Sequence, residues 1–230
     1  MRSFTAEHTP AEIVKVFPYA SDLFKENHID FCCGGDKILR DQFKEHQVAG
    51  DTILFELNTR YEKWLENGHQ AKDWDSVSIS NLVDYIVDHH HGYLKKELPA
   101  LSKFVTRVFH AHGSNQPHLR ELHRLYDEFS QEMAEHTIKE EEEVFPLIKE
   151  YAVKPSEELL ERIRIANGGL EAEHEFAGDL LKKIRQVTSG FEPPVTACGT
   201  YRVTYARLAE MESNTFEHIH LENNILFKRL

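Results

Sequence analysis

One spacing occurs twice in this chain and constrains it more than any other feature: His136-x-x-x-Glu140 and His218-x-x-x-Glu222. A step of four residues puts both side chains on one face of a helix. In each case that face is otherwise apolar. The stripe around the first pair reads Leu122, Tyr126, Phe129, Met133, His136, Glu140. The stripe around the second reads Tyr201, Tyr205, Leu208, Met211, Thr215, His218, Glu222, Ile225. Two further stripes at helical spacing each carry a histidine: Val83, Val87, His91, Leu94, Leu98, Leu101, and Leu160, Ile163, Asn167, Leu170, His174, Ala177, Leu181, Ile184. One histidine on such a stripe is as a rule a hydrogen-bonded core residue. Buried carboxylates are rarer, because an unpaired one costs several kcal/mol. Four histidines and two glutamates on four stripes are not explained residue by residue, whereas a bound metal offsets the desolvation of all six.

The spacing of turn signals lets these positions share one layer. His91 lies 24 residues before Asn115 and His136 lies 21 after it. At 1.5 Å per residue, the two differ by about 5 Å along a helical hairpin. Glycine and proline fall between long helical patterns, which predicts helices over about 78–109, 118–150, 156–188 and from 195 onward. Pro99 should kink the first. Short connections make consecutive helices antiparallel, so residues 76–230 are expected to form an up-down-up-down four-helix bundle. Residues 1–70 read as a small helical N-terminal domain. Its helices are expected near 11–17, 21–27, 37–45 and 51–66, the first opened by a Thr9-Pro10-Ala11-Glu12 capping box. No segment alternates with a β period, and the fold class is all-α.

Fifteen histidines are an unusual number for 230 residues, so most must be set aside. His89 and His90 project from other faces, and His220 lies about 160° around the helix from His218. His110, His112 and His118 cluster at a turn, and His123 is off its stripe. The run Glu140–Glu143 reads as a mostly solvated acidic face, with Glu143 the main competitor of Glu140. Glu132 and Glu173 are close enough in sequence to support the ligands.

The formal net charge of −12 argues against nucleic acid and anionic membrane surfaces as partners. No run approaches the ~18 apolar residues of a membrane span, and the N-terminus lacks an apolar leader core. A cytoplasmic location is expected. Three cysteines, two of them adjacent, are no disulfide framework.

Imidazole and carboxylate donors suit iron, manganese or zinc and disfavour a structural cysteine–zinc site. Six donors are too many for one catalytic zinc, and they fit two metals bridged by the glutamates. The order His91…His136-x-x-x-Glu140…His174…His218-x-x-x-Glu222 resembles the hemerythrin-like di-iron fold. Oxygen-carrying hemerythrins place another histidine four residues after the one on the third helix. Here that position is Gly178, which implies a centre more open to exogenous ligands.

Upstream, Asp30-Phe31-Cys32-Cys33-Gly34-Gly35 precedes the bundle. With Glu171-Ala172-Glu173-His174 and Leu221-Glu222-Asn223-Asn224-Ile225-Leu226-Phe227, it is similar to the iron–sulfur cluster repair family of the ScdA and YtfE type. Lys228 departs from the proline that many members carry there. The resemblance implies two non-haem, carboxylate- and oxo-bridged iron ions and a role in repairing clusters damaged by oxidative or nitrosative stress. It also implies damaged iron–sulfur proteins as partners, and a homodimer. Iron supply is the expected mode of action. Dioxygen or nitric oxide binding, or nitric oxide reduction, is the alternative.

Read from the residues alone, Cys32 and Cys33 are a packed turn or a pair of thiolates offered to a partner or an iron species. The resemblance favours thiol or iron chemistry. Cys198 reads as structural.

Overall fold

The structure, a computed structural model, describes residues 3–230. It divides into two compact units: Met1–Ser78 together with Ile219–Leu230, and Ile79–His218. Among the described residues every regular element is helical.

The first unit holds α1 (Pro10–Val16), α2 (Ala20–Glu26), α3 (Leu39–Glu45) and α4 (Gly50–Glu66). α1 starts as its sequence dictates. The Thr9 hydroxyl accepts from the Glu12 amide, and the Glu12 carboxylate accepts from the Thr9 amide. The short helices are too brief to be stable alone. They are held by a shared core of Phe4, Ile13, Phe17, Leu23, Phe24, Leu39, Leu57 and Tyr61. Rings of Phe4 and Phe17 meet Tyr61 with centroids 4.8 and 5.3 Å apart, a spacing at which aromatic pairs attract. Asn58 on α4 accepts from the Phe4 amide at 2.7 Å and donates to its carbonyl at 3.0 Å, which ties the segment before α1 to α4. The end of the chain belongs to this unit: the Arg229 guanidinium donates to the carbonyls of Trp74 and Val77.

The second unit is the bundle. Its first rod is α5 (Ile79–Tyr85), a π-helical segment (Ile86–His91) and α6 (Gly92–His112). Pro99 sits inside α6 without ending it. The second rod is α7 (His118–Lys139), a π turn (Glu140–Val144) and α8 (Phe145–Val153). The third differs from expectation. It is two helices, α9 (Glu157–Ala166) and α10 (Leu170–Val187). Gly168-Gly169 separates them, and Gly169 has φ of 101°, a conformation open to glycine but strained for other residues. The fourth is α11 (Gly199–Leu221), continued by a π turn (Glu222–Leu226) and a short 3₁₀ turn (Phe227–Arg229). The boundary between the compact units falls inside α11.

The stripes predicted to face inward do so over most of their length, but Val87, Leu160 and Asn167 are only half-buried, and Leu159 rather than Leu160 enters the core. Val83, Leu94, Leu98, Leu101, Leu122, Tyr126, Phe129, Met133, Leu170, Ala177, Leu181, Ile184, Tyr201, Tyr205, Leu208 and Met211 are all buried. Burial at roughly 25 cal/mol per Å² of apolar surface is the main force closing the bundle. Polar ties then fix neighbouring helices. The Tyr126 hydroxyl donates to the Leu98 carbonyl at 2.7 Å. Arg207 on α11 forks onto Glu97 on α6 at 2.7 and 2.8 Å. Arg185 on α10 forks onto the fully buried Glu212 on α11. Among the described residues no helix is long and apolar enough to cross a membrane.

Candidate metal centre

The apolar stripes deliver their histidines to one layer. His91, His136, His174 and His218 are all at most 3% exposed, and Glu140 is fully buried among them. Two histidine pairs form. Nε2 of His91 lies 3.0 Å from Nε2 of His218, and Nε2 of His136 lies 3.0 Å from Nε2 of His174. Glu140 stands between the pairs: its Oε2 is 3.3 Å from Nε2 of both His91 and His136, and 3.8 Å from that of His218. The donor atoms of His91, Glu140 and His218 lie within 4.8 Å of one another, as do those of His136, Glu140 and His174.

Glu222 is fully buried too. It opens the π turn that follows α11, one helical turn beyond His218 on an unbroken helix, so the i, i+4 step sets it on the face that carries His218. π turns also hold His91, as the last residue of Ile86–His91, and Glu140, as the first of Glu140–Val144. Such turns widen the helix by one residue and shift side-chain register; they recur at functional sites. Plain 3.6-residue periodicity does not foresee them.

Outside the layer, one device is used twice. Nδ1 of His91 donates to Glu141 Oε1 at 2.8 Å, and Lys95 Nζ donates to the other oxygen of Glu141 at 2.7 Å. Nδ1 of His136 donates to Glu173 Oε2 at 2.8 Å, and Lys139 donates to Glu173 Oε1 at 2.6 Å. Partial burial pushes both carboxyls up, but the lysine and histidine bonds outweigh it and hold Glu141 and Glu173 below the usual carboxylate range. A carboxylate can only accept, so each of these imidazoles carries a proton on Nδ1 and turns the Nε2 lone pair inward.

Nε2 of His91 and of His136 each turns its lone pair toward the Nε2 of the facing histidine 3.0 Å away, and a cation between the two nitrogens would accept a lone pair from each. Two donors about 2.1 Å from one ion and at right angles to each other stand about 3.0 Å apart, which is the separation both pairs show. The donors are imidazole nitrogen and carboxylate oxygen, a set that iron, manganese and zinc accept. They fit.

The structure also places the residues that the spacing argument set aside. Glu143 is exposed and takes no part. Glu173 supports His136 as described, whereas burial and the neighbouring Glu173 raise the Glu132 carboxyl. Glu141, assigned above to a solvated face, is the partner of His91. His90 is not on an outer face: it is buried, stacked on His218 with centroids 5.7 Å apart, and its Nδ1 is 3.3 Å from Asn214 Oδ1. Only the tertiary fold reveals these two, since their partners lie on other helices. His89 is exposed and stacks on Tyr85. His118, partly covered, meets the hydroxyls of Tyr201 and Tyr205 at 3.1 and 3.0 Å. Cys198 is exposed, with Sγ 3.4 Å from His112 Nε2, so it does not pack in a core.

In the other unit, Cys32 is buried and Cys33 half-buried. Their sulfurs are 3.6 Å apart, so the thiols are not joined. His220 is buried here, its Nδ1 donating to the Phe31 carbonyl at 3.3 Å. Burial pushes this imidazole down to about 4, only partly opposed by the Phe31 bond, so it is neutral at neutral pH.

The chain is similar to known proteins along nearly its whole length. Residues 82–230 match the Hemerythrin HHE cation binding domain, and residues 6–61 match ScdA_N, described as a Domain of Unknown function (DUF542). Over 230 residues the chain is 34% identical to the iron-sulfur cluster repair protein ScdA of Staphylococcus haemolyticus, covering 98% of each. It is 33% identical to the protein of that name from Staphylococcus epidermidis, over 98% of this chain and 99% of the other. With the iron-sulfur cluster repair protein YtfE of Salmonella newport it shares 34% identity over 95% of this chain and 94% of that one. A cation-binding bundle behind an ScdA-type N-terminal domain, with similarity along nearly the full length, places this chain in the ScdA/YtfE family of hemerythrin-domain proteins.

Proposed function

We propose that this chain holds two non-haem iron ions in the bundle and supplies iron to restore damaged iron–sulfur clusters. The observation that carries the reading is the position of Glu140, between two histidine pairs that each have the spacing of ligands on a single ion. His91 and His218 would hold one ion and His136 and His174 the other, with Glu140 and Glu222 as the carboxylate donors. What the group supplies when bound is exchangeable, redox-active iron.

The chain's own residues hold the donors ready. Glu141 and Glu173 fix the tautomer of His91 and His136, and Lys95 and Lys139 hold those carboxylates in place. Gly178 is buried and offers no side-chain donor on α10, which leaves the histidine set at four. A nitrogen and oxygen donor set without thiolate favours iron that can be released when its oxidation state changes. The names of the relatives support repair as the purpose, with damaged iron–sulfur proteins as the recipients.

The test uses a purified dehydratase whose cluster has been damaged. Iron-loaded protein should restore its activity faster than the same amount of free iron with thiol, in the presence of a chelator that captures free iron. Equal rates from protein and free iron would sink the reading. Reversible binding of dioxygen or nitric oxide with all iron retained would replace it with a gas-binding role.

A further inference from the structure

The segment Asp30–Gly35 is braced far more closely than a passive turn needs. Gln42, buried on α3, accepts from the Asp30 amide at 2.8 Å and donates to the carbonyls of Asp30 at 2.9 Å and Gly34 at 3.2 Å. Asn224 donates to the Cys32 carbonyl at 2.9 Å, and His220 to that of Phe31. A β-carbon at Gly35 would collide with the Phe31 carbonyl, so only glycine lets the loop close this tightly. Within this frame Oδ1 of Asp30 accepts from the amides of Cys32 and Cys33, each at 3.0 Å, and lies 3.5 Å from Cys32 Sγ. The carboxylate is thereby fixed beside both sulfurs. Donor atoms of Asp30, Cys32 and Cys33 lie within 4.8 Å of one another.

The distance between the sulfurs decides what this arrangement suits. Two thiolates about 2.3 Å from one tetrahedral ion stand about 3.8 Å apart. The observed 3.6 Å is close to that and far from the ~2.05 Å of a disulfide. We propose that Asp30, Cys32 and Cys33 form a second metal site, for one thiophilic divalent cation such as iron(II) or zinc(II). Its ligands differ in kind from the histidine–glutamate layer, and it does not depend on that layer holding iron. Three protein ligands leave a fourth position open, as in exchangeable rather than structural sites. Each thiol passes its proton to solvent as its sulfur binds the ion, so loading releases two protons. Half-exposed Cys33 gives the ion a way in, whereas buried Cys32 and the carboxylate hold it.

Cobalt(II) is the probe, added anaerobically to the reduced full-length protein. Thiolate ligation gives an intense near-ultraviolet charge-transfer band that histidine and carboxylate ligands cannot produce, so the band reports cysteine ligation, and the cysteine variants assign it to this site. One equivalent per chain should generate it, at every protein concentration, and zinc should abolish it. Cys33→Ser should remove the band, Asp30→Asn should keep it but need about tenfold more cobalt, and Cys198→Ser should leave it unchanged. Circular dichroism checks that each variant is folded. Absence of the band in the parent protein overturns the proposal. So does a band that survives in folded Cys33→Ser, or one that grows with protein concentration as a site shared between chains would.

Discussion

The Nε2 atoms of His91 and His218 lie 3.0 Å apart, and Nδ1 of His91 is bound to Glu141 on the opposite side of the ring. The imidazole is thus held by its outer nitrogen and presents its inner one. His136 repeats the arrangement toward His174, with Glu173 behind it. The two halves of the layer are built alike, though their residues come from different helices.

Removing an inner donor should remove metal. His91→Ala or His136→Ala is expected to lower bound iron to roughly half or less, because each takes away one of the few donors of its ion. His89→Ala, an exposed neighbour, should retain full iron. Elemental analysis after anaerobic purification decides; equal loss in all three variants would contradict the assignment.

Removing an outer carboxylate should weaken metal binding without abolishing it. Glu141→Ala and Glu173→Ala should each lower iron affinity about 10- to 100-fold. Glutamine at either position still accepts from Nδ1 and should recover part of that loss. Competition with a chelator of known affinity measures both, and glutamine variants as weak as the alanine ones would argue against a tautomer-fixing role.

The metal should also stabilise the fold. Glu140 is fully buried, and a cation in the layer offsets the desolvation of its carboxylate, so stripping iron should lower the melting temperature. At free metal about a hundredfold above Kd, rebinding should restore about 2.7 kcal/mol. A melting temperature indifferent to metal would mean the layer is satisfied without it.

Glu212 is fully buried and its carboxylate is held by the Arg185 fork. Glu212→Ala strands a cation whose side chain is only about a quarter exposed. The expected loss is about 2 kcal/mol in denaturant unfolding, below the ~3–5 kcal/mol of a wholly buried pair because the guanidinium keeps some water. Iron content of the folded fraction should stay unchanged.

Burial lowers the pKa of His118, which contacts the hydroxyls of Tyr201 and Tyr205. The unfolded chain therefore takes up this proton first as pH falls. Stability from His118 is present above the ordinary histidine value of about 6.5 and is lost as pH drops below it. His118→Gln should flatten the fall in melting temperature between pH 7.5 and 5.5, values chosen to straddle roughly that pKa. An unchanged slope would show that other groups carry it.

Much of this architecture was legible in the residues. Apolar stripes at helical spacing located the four rods, and the Thr9–Glu12 capping box located the start of α1. The spacing of His136 from Glu140, repeated by His218 and Glu222, singled out a candidate metal centre because buried carboxylates need compensation. These features are local: a helix face is fixed by a few consecutive residues. The break at Gly168-Gly169 was also written there, but the continuous stripe from Leu160 to Ile184 masked it, since periodicity alone does not register a left-handed residue.

What only the tertiary structure decided was which groups meet across helices. Sequence distance carries no record that Glu141 would reach back to His91, 50 positions earlier, or that His90 would stack on His218. π turns at His91, Glu140 and Glu222 shift side chains off the 3.6-residue register from which any stripe is read. Sequence alone determined that this chain builds a helical bundle with an interior polar layer. The packing of those helices decided which proton sits on which nitrogen, and so which lone pairs face inward, because hydrogen-bond partners 30 to 130 residues apart are fixed only when the helices dock.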